Sequence, residues 1–296
     1  MILQYRVIDN KFYNLKEILK VHFQLSDNLI TKLKQNRKIL LNSEFTYLDH
    51  LVKINDFVEI DLDLEEFSEN IVPNPNIKLD IVFEDDSILI VNKSAGIPVH
   101  PSMNHFTDSL SNAVKYYFNT INLKKKIRPV NRLDKNTSGL VVFAKNEYVQ
   151  ELLIKQMKAN IFKKEYLAIL VGTLKEKNGV INAPIARKEG SIIEREINEK
   201  GFSSITHFKL IRNFEYNNTK LSLVKFVLET GRTHQIRLHS KYINHPILGD
   251  SLYGSSSLFI SRQALHAYKI NFLHPIKKEP LSFEVPLPED LLLILN

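Results

Sequence analysis

Cysteine is absent from the 296 residues, so the chain can form no disulfide, thiolate nucleophile or cysteine zinc site. That absence suits a reducing compartment. Glycine is scarce: the nine glycines include no G-x-G-x-x-G and no G-x-x-x-x-G-K, which leaves nucleotide-driven chemistry without a phosphate loop. No run approaches the roughly 18 consecutive apolar residues of a membrane helix. The opening MILQYRVIDNKF lacks the basic, apolar and small-residue order of a secretion signal, so a cytoplasmic location is expected. Internal repeats and low-complexity tracts are missing as well. What is present is a 44% hydrophobic content, ample for a packed core in about two domains, and a net charge of +7. An excess of positive charge favours an anionic partner, nucleic acid first among them.

Two short amphipathic helices are expected in NLKEILKVHFQLSDNLITKLKQN, capped by Asn14 and Ser26, with Ile18, Leu19, Leu29, Ile30 and Leu33 turned inward. Short apolar runs broken by turn residues follow to about residue 62 and predict a few strands. Lys32, Lys34, Arg37 and Lys38 cluster at the join, a pattern that a solvated helix end also produces. Residues 63–77 are acidic, hold Pro73 and Pro75, and are expected to be a linker. A second domain is expected over 78–296. Its runs IVFEDDSILIVNK, LVVFAK, EYLAILVG, LSLVKFVLE and QALHAYKINF predict a mixed, mostly antiparallel sheet with flanking helices. The fold class expected is therefore α+β.

The stretch NRLDKNTSG, residues 131–139, sets Asp134 between Arg132 and Lys135 at the entrance to a strand. As a plain turn, the carboxylate accepts backbone N–H groups. As a calcium loop, the spacing of Asp134, Asn136 and Ser138 fits, but the twelfth position is Lys145 where a bidentate glutamate is required, and this reading fails. As a catalytic group, a carboxylate beside two cations has its pKa lowered and can serve as a nucleophile or electrostatic partner toward a cationic sugar carbon. The nine residues alone leave the turn and the catalytic reading open.

The segment VNRLDKNTSGLVVFAKN resembles the signature of the RluA-type family of pseudouridine synthases. Three further blocks agree in order: DIVFEDDSILIVNKSAGIPVHPS, KKEYLAILVG and LETGRTHQIRLHSKYINHPILGDSLYG. Residues 12–62 resemble the small S4 RNA-binding module often fused to such enzymes. One departure is visible: the family commonly has histidine before R-L-D, where this chain has Asn131, which keeps hydrogen bonding but carries no proton, so a structural or orienting role is expected.

The resemblance implies isomerisation of uridine in RNA without cofactor or metal, since reactant and product have the same atoms. It implies Asp134 as the catalytic residue acting at C1′, Tyr166 as the active-site tyrosine and Arg237 as the basic partner of Asp134. Arg132 would fill the space left by an extruded base. Leu238 would line the pocket, although a core leucine is as plausible. Lys32 and Arg37 of the S4-like segment, and Lys124, Lys125, Lys126 and Arg128 of the basic run before the catalytic turn, become expected phosphate contacts. Thr233 is expected to cap a helix ending near Asn244, with His234, Arg237 and Lys241 on one face. A metal reading of His234 and His239 fails, because a separation of five sets them on different faces. Large-subunit ribosomal RNA is the expected substrate and transfer RNA the alternative, with a monomer sufficient. Two rival functions are a non-catalytic RNA-binding or ribosome-assembly factor, and a nucleosidase working with one aspartate. The second lacks the further carboxylate or metal that would position a water.

Overall fold

The computed structural model describes residues 1–66 and 71–296. The N-terminal unit is an antiparallel sheet of β1 (Ile2–Arg6), β2 (Ile39–Leu41), β3 (Glu44–Phe45) and β4 (Phe57–Asp61), ordered β1-β4-β2-β3. Side chains alternate across a strand, so β4 buries Val58 and Ile60 and leaves Glu59 outside. Packed on that buried face are α1 (Leu15–Glu17), prolonged by a π turn over Ile18–His22, and α2 (Asp27–Gln35). Both expected caps are in place: Asn14 Oδ1 accepts from the Glu17 amide at 3.0 Å, and Ser26 Oγ from Leu29 at 3.3 Å. Ile18, Leu19, Leu29, Ile30 and Leu33 are all buried, as their spacing predicts. The unit starts before residue 12, because β1 is one of its edge strands.

The larger sheet takes six of its ten strands from the second domain's five expected apolar runs, and four, over 128–129, 178–182, 205–216 and 280–284, lie outside them. Its members are β5 (Ile81–Glu84), β6 (Ile88–Lys93), β7 (Arg128–Pro129), β8 (Ser138–Ala144), β9 (Lys163–Val171), β10 (Asn178–Asn182), β13 (Ile205–Tyr216), β14 (Thr219–Leu228), β15 (Leu265–Leu273) and β16 (Pro280–Glu284). A separate small ribbon pairs β11 (Ile185–Arg187) with β12 (Arg195–Ile197). The main path runs β10-β13-β14-β9-β15-β8-β6-β5, with β16 beside β15 and β7 beside β8. Among the described residues only the β8–β15 pairing is parallel, so the sheet is mixed and mostly antiparallel. Helices α3 (Leu110–Thr120), α4 (Glu147–Lys158), α5 (Gln235–Tyr242) and α6 (Glu289–Leu295) complete the α+β architecture. No helix among the described residues is long and apolar enough to cross a membrane.

Strand β8 is buried at all seven positions because both of its faces carry a core. Val141 and Phe143 enter one cluster, Leu140, Val142 and Ala144 the other. Asp134 lies in the turn just before this strand, where Thr137 N–H donates to Asp134 C=O at 3.0 Å. A rigid strand therefore fixes where the turn ends. Gly139 permits the close passage of β15: its φ is +117°, and a Cβ there would sit 2.2 Å from the Ala267 carbonyl oxygen. We expect Gly139→Ala to destabilise the fold by about 3 kcal/mol or more, combining backbone strain with a clash that neither strand can relieve. Gly96→Ala, at φ +85° with open space around it, should lose only the strain contribution. Denaturant unfolding of the two variants checks this, and equal midpoints would contradict it.

The two units share a core. Tyr148 and Leu152 of α4 pack into the N-terminal cluster, and the Tyr148 hydroxyl donates to the Phe23 carbonyl at 2.9 Å. Of the segment expected as a linker over 63–77, residues 67–70 lie outside the described residues, and the stretches on either side are bonded to the second unit. Lys125 pairs with Asp63 at 2.5 Å, Lys124 with Glu65 at 3.1 Å and Arg128 with Glu66 at 2.7 Å, while Asn112 donates to the Val72 carbonyl.

Candidate active site

Three elements converge on Asp134. It is presented by the turn before β8, Tyr166 stands on β9 and Arg237 on α5. Arg237 Nη1 lies 3.2 Å from Asp134 Oδ2, a contact between residues 103 positions apart. The Asp134 side chain keeps 26% of its surface exposed, enough for a ligand to reach it. Asp134, Tyr166 and Arg132 together line a cleft of about 680 Å³, which narrows to a recess shared by Asp134, Tyr166, His234 and Arg237.

Arg237 is aimed by a second carboxylate that sequence reading passed over. Asp250, fully buried, accepts from Arg237 Nε and Nη2, each at 2.8 Å, and also from the backbone N–H groups of Leu252 and Tyr253. This two-pronged clamp spends two arms of the guanidinium and leaves Nη1 for Asp134. Burial opposes the Arg237 charge, yet the Asp250 and Asp134 carboxylates outweigh it and raise its pKa. The Tyr253 ring packs beneath the guanidinium at 5.2 Å.

His234 closes the recess in an unexpected conformation. It sits at the N-cap of α5 with φ +58°, and Thr233, the expected cap, is exposed. The loop is instead stapled by Gln235, whose Oε1 accepts from Arg232 N–H and the Thr230 hydroxyl. Left-handed backbone at His234 turns its ring inward, where Nδ1 meets the Tyr253 hydroxyl at 2.9 Å and Nε2 lies 3.9 Å from Asp134 Oδ1. Burial lowers the His234 pKa; Asp134 opposes that, and Arg237 and Arg195 reinforce it. Tyr166 is pushed up by burial first and by the Asp134 charge second, so its phenol holds its proton at neutral pH.

From below, Lys93 anchors the turn. Its buried ammonium donates to the carbonyls of Ser94, Ile97 and Lys135 at 2.8–2.9 Å, using all three donors. Burial and then Arg262 push its pKa down to about 7, with Asp134 opposing. Asn131 is buried and spends its amide on β8, donating to Leu140 C=O at 3.1 Å and accepting from Val142 N–H at 2.9 Å.

The other expected residues divide. Arg132 is exposed at the cleft and makes no ion pair among the described residues. Leu238 does not line this cleft. One residue past Arg237 on the helix, it points away, packs with Ile185 and Tyr253, and borders a separate cavity together with Lys241. His239 is buried elsewhere, against Thr206 Oγ1 and the Ala183 carbonyl. The basic run is mostly engaged: Lys124, Lys125 and Arg128 hold the acidic segment, and Lys126 stands exposed without a carboxylate among the described residues. Lys32 pairs with Glu147 at 2.5 Å and ties the two units together. Arg37 remains exposed, its guanidinium 5.7 Å from the Phe45 ring centre. Asp250, Tyr253 and His234 lie inside the block LETGRTHQIRLHSKYINHPILGDSLYG, so its length was the one available hint of their importance.

The sequence model described as RNA pseudouridylate synthase matches residues 87–242, which contain Asp134, Tyr166 and Arg237. The uncharacterized RNA pseudouridine synthase YhcT of Bacillus subtilis (strain 168) is 40% identical over 274 residues, 93% of this chain and 89% of that protein. Ribosomal large subunit pseudouridine synthase D of Blochmanniella floridana is 35% identical over 303 residues, 95% of this chain and 92% of its own. Among solved structures, human RNA pseudouridylate synthase domain containing 1 superposes with a TM-score of 0.58 at 26% identity, over 72% of this chain and 85% of that one.

Proposed function

The chain belongs to the RNA pseudouridylate synthase family and is an RNA pseudouridine synthase, and on that premise we propose that it isomerises uridines of large-subunit ribosomal RNA with Asp134 as the catalytic residue. The observation that carries the assignment of Asp134 is its contact with Arg237, made across 103 positions inside a cleft it shares with Tyr166. The choice of RNA follows the relatives named for the ribosomal large subunit.

A uridine in folded RNA must leave its stack to reach this cleft, at a cost of a few kcal/mol. Arg132, exposed and without an ion pair among the described residues, is free to occupy the vacated space and stack on the neighbouring bases. Within the cleft the Tyr166 ring offers a flat face to uracil. Asp134 acts at C1′ as the N1–C1′ bond breaks, the uracil turns, C5 joins C1′, the C5 proton passes to solvent and N1 takes up a proton in its place. Arg237, held by Asp250, keeps the carboxylate aimed throughout. No cofactor enters the balance, because nothing is oxidised or reduced.

Incubating the protein with ribosomal and transfer RNA labelled with tritium at uracil C5 tests the reading. Tritium release from large-subunit ribosomal RNA is expected. Free uracil would mean hydrolysis, release from transfer RNA alone would move the substrate, and no release from either would leave a binding role.

We further assign RNA binding to the N-terminal unit, as its resemblance to the S4 module implies. Supporting this, Lys34 and Arg37 stand over the exposed rings of Tyr47 and Phe45, so cations and aromatic faces share one surface. Replacing both cations with glutamine should weaken RNA binding and flatten the dependence of log K on log salt by about 1.4, or about 0.7 per lost phosphate contact on single-stranded RNA. An unchanged slope would remove this surface from the interface.

A further inference from the structure

The Lys164 ammonium makes no hydrogen bond or ion pair among the described residues, although the residue lines the same cleft as Asp134 and Tyr166. Alternation along β9 explains its direction. Lys164 and Tyr166 are two residues apart and share one face of the strand, roughly 7 Å from each other along it. Glu165, between them, faces the other way and is fully engaged by Lys225 at 3.0 Å, Tyr268 at 2.9 Å and Asn271 at 3.2 Å. The only neighbouring acid on the strand is thus withdrawn from the ammonium. Opposite lies Gly231, where a Cβ would come within 3.3 Å of Lys164 Nζ, so the missing side chain leaves the ammonium its place in the cleft.

The rest of the wall has the same bias. Arg132, Lys158 and Arg232 also line this cleft, and none of them pairs with a carboxylate among the described residues. The two carboxylates that do line it are Asp134, held by Arg237, and Glu229, held by His207. A half-buried ammonium with no counter-ion is costly unless a ligand supplies one, and burial already lowers the Lys164 pKa. An uncharged uracil would leave that charge uncompensated. A phosphate would not.

We propose that Lys164 is a phosphate-gripping residue of the active-site cleft, pairing with a backbone phosphate of the RNA strand beside the extruded nucleotide and so fixing the sugar over Asp134. This rests on the reading that the cleft receives RNA. The ammonium touches substrate without taking part in bond exchange, so its removal should cost binding of the strand before it costs chemistry.

The test uses the full chain carrying Asp134→Asn, so that RNA is bound without turnover, and in vitro transcribed large-subunit ribosomal RNA as the probe, titrated at several potassium chloride concentrations. Adding Lys164→Gln should weaken binding about tenfold, the scale of one charge-assisted hydrogen bond. It should also reduce the salt slope by about 0.7, the share of a single phosphate on single-stranded RNA. Lys164→Arg should keep the slope. If the glutamine variant does not fold, as judged by thermal melting, Lys164→Met, which keeps the stem, is measured in its place. A slope unchanged in the neutral variant overturns the phosphate assignment, whatever happens to affinity. Failure of the Asp134→Asn parent to bind the RNA would instead sink the underlying reading of the cleft.

Discussion

Asp134→Asn should abolish tritium release, by about 10⁴-fold or more, while RNA binding survives. The size follows from removing a group that acts directly at the reacting carbon. The substitution keeps shape and most hydrogen bonding: an amide oxygen in the place of Oδ2 can still accept from Arg237 Nη1, now 3.2 Å away. What it loses is the negative oxygen. An amide is neither a nucleophile toward C1′ nor an electrostatic partner for a sugar carbon that gains positive character as N1 departs. Binding should persist because the cations of the cleft, Arg132, Lys158, Lys164 and Arg232, are untouched. Release measured beside filter binding on the same RNA separates the two effects. Turnover by the variant at the parent rate would remove Asp134 from the chemistry.

The second large effect is expected one shell behind, at Asp250. Asp250→Ala leaves a buried guanidinium with one carboxylate where it had two, and breaking a buried pair in this way costs about 3–5 kcal/mol of stability. Activity should fall by about 10² as well, because Arg237 loses the two bonds that hold it in line and a misplacement of about an ångström is enough for that loss. The loss belongs in kcat, with KM for RNA little changed, since Asp250 has no exposed surface and no access to the strand. The double variant Asp250→Ala with Arg237→Met gives the decisive comparison. Removing the stranded charge should restore much of the stability and none of the activity. A single variant as stable and as active as the parent would show that Asp250 does not position Arg237.

Much of the architecture was legible beforehand, for local reasons. The caps at Asn14 and Ser26 depend on side chains reaching amides three residues ahead. The burial of β8 on both sides follows from its unbroken apolar run. The expected cap at Thr233 failed because the decisive contacts are tertiary: His234 adopts a left-handed backbone that lets its ring reach Tyr253, 19 positions away. The partners of the basic run Lys124–Arg128 were likewise not legible. A charge pattern shows that cations are present but not which carboxylates come to meet them, and Lys125 and Arg128 meet partners 62 residues upstream.

By itself, then, the sequence determined most of the elements, their order, the turn that carries Asp134 and the residue types gathered there, because propensity, capping and alternation act over a few neighbours. Only the tertiary structure decided which cation serves which anion: Arg237 shared between Asp250 and Asp134, Arg128 withdrawn to Glu66, Lys164 in the cleft with no carboxylate partner among the described residues. Ion pairing depends on distance and burial in space, and the packing of distant segments sets both.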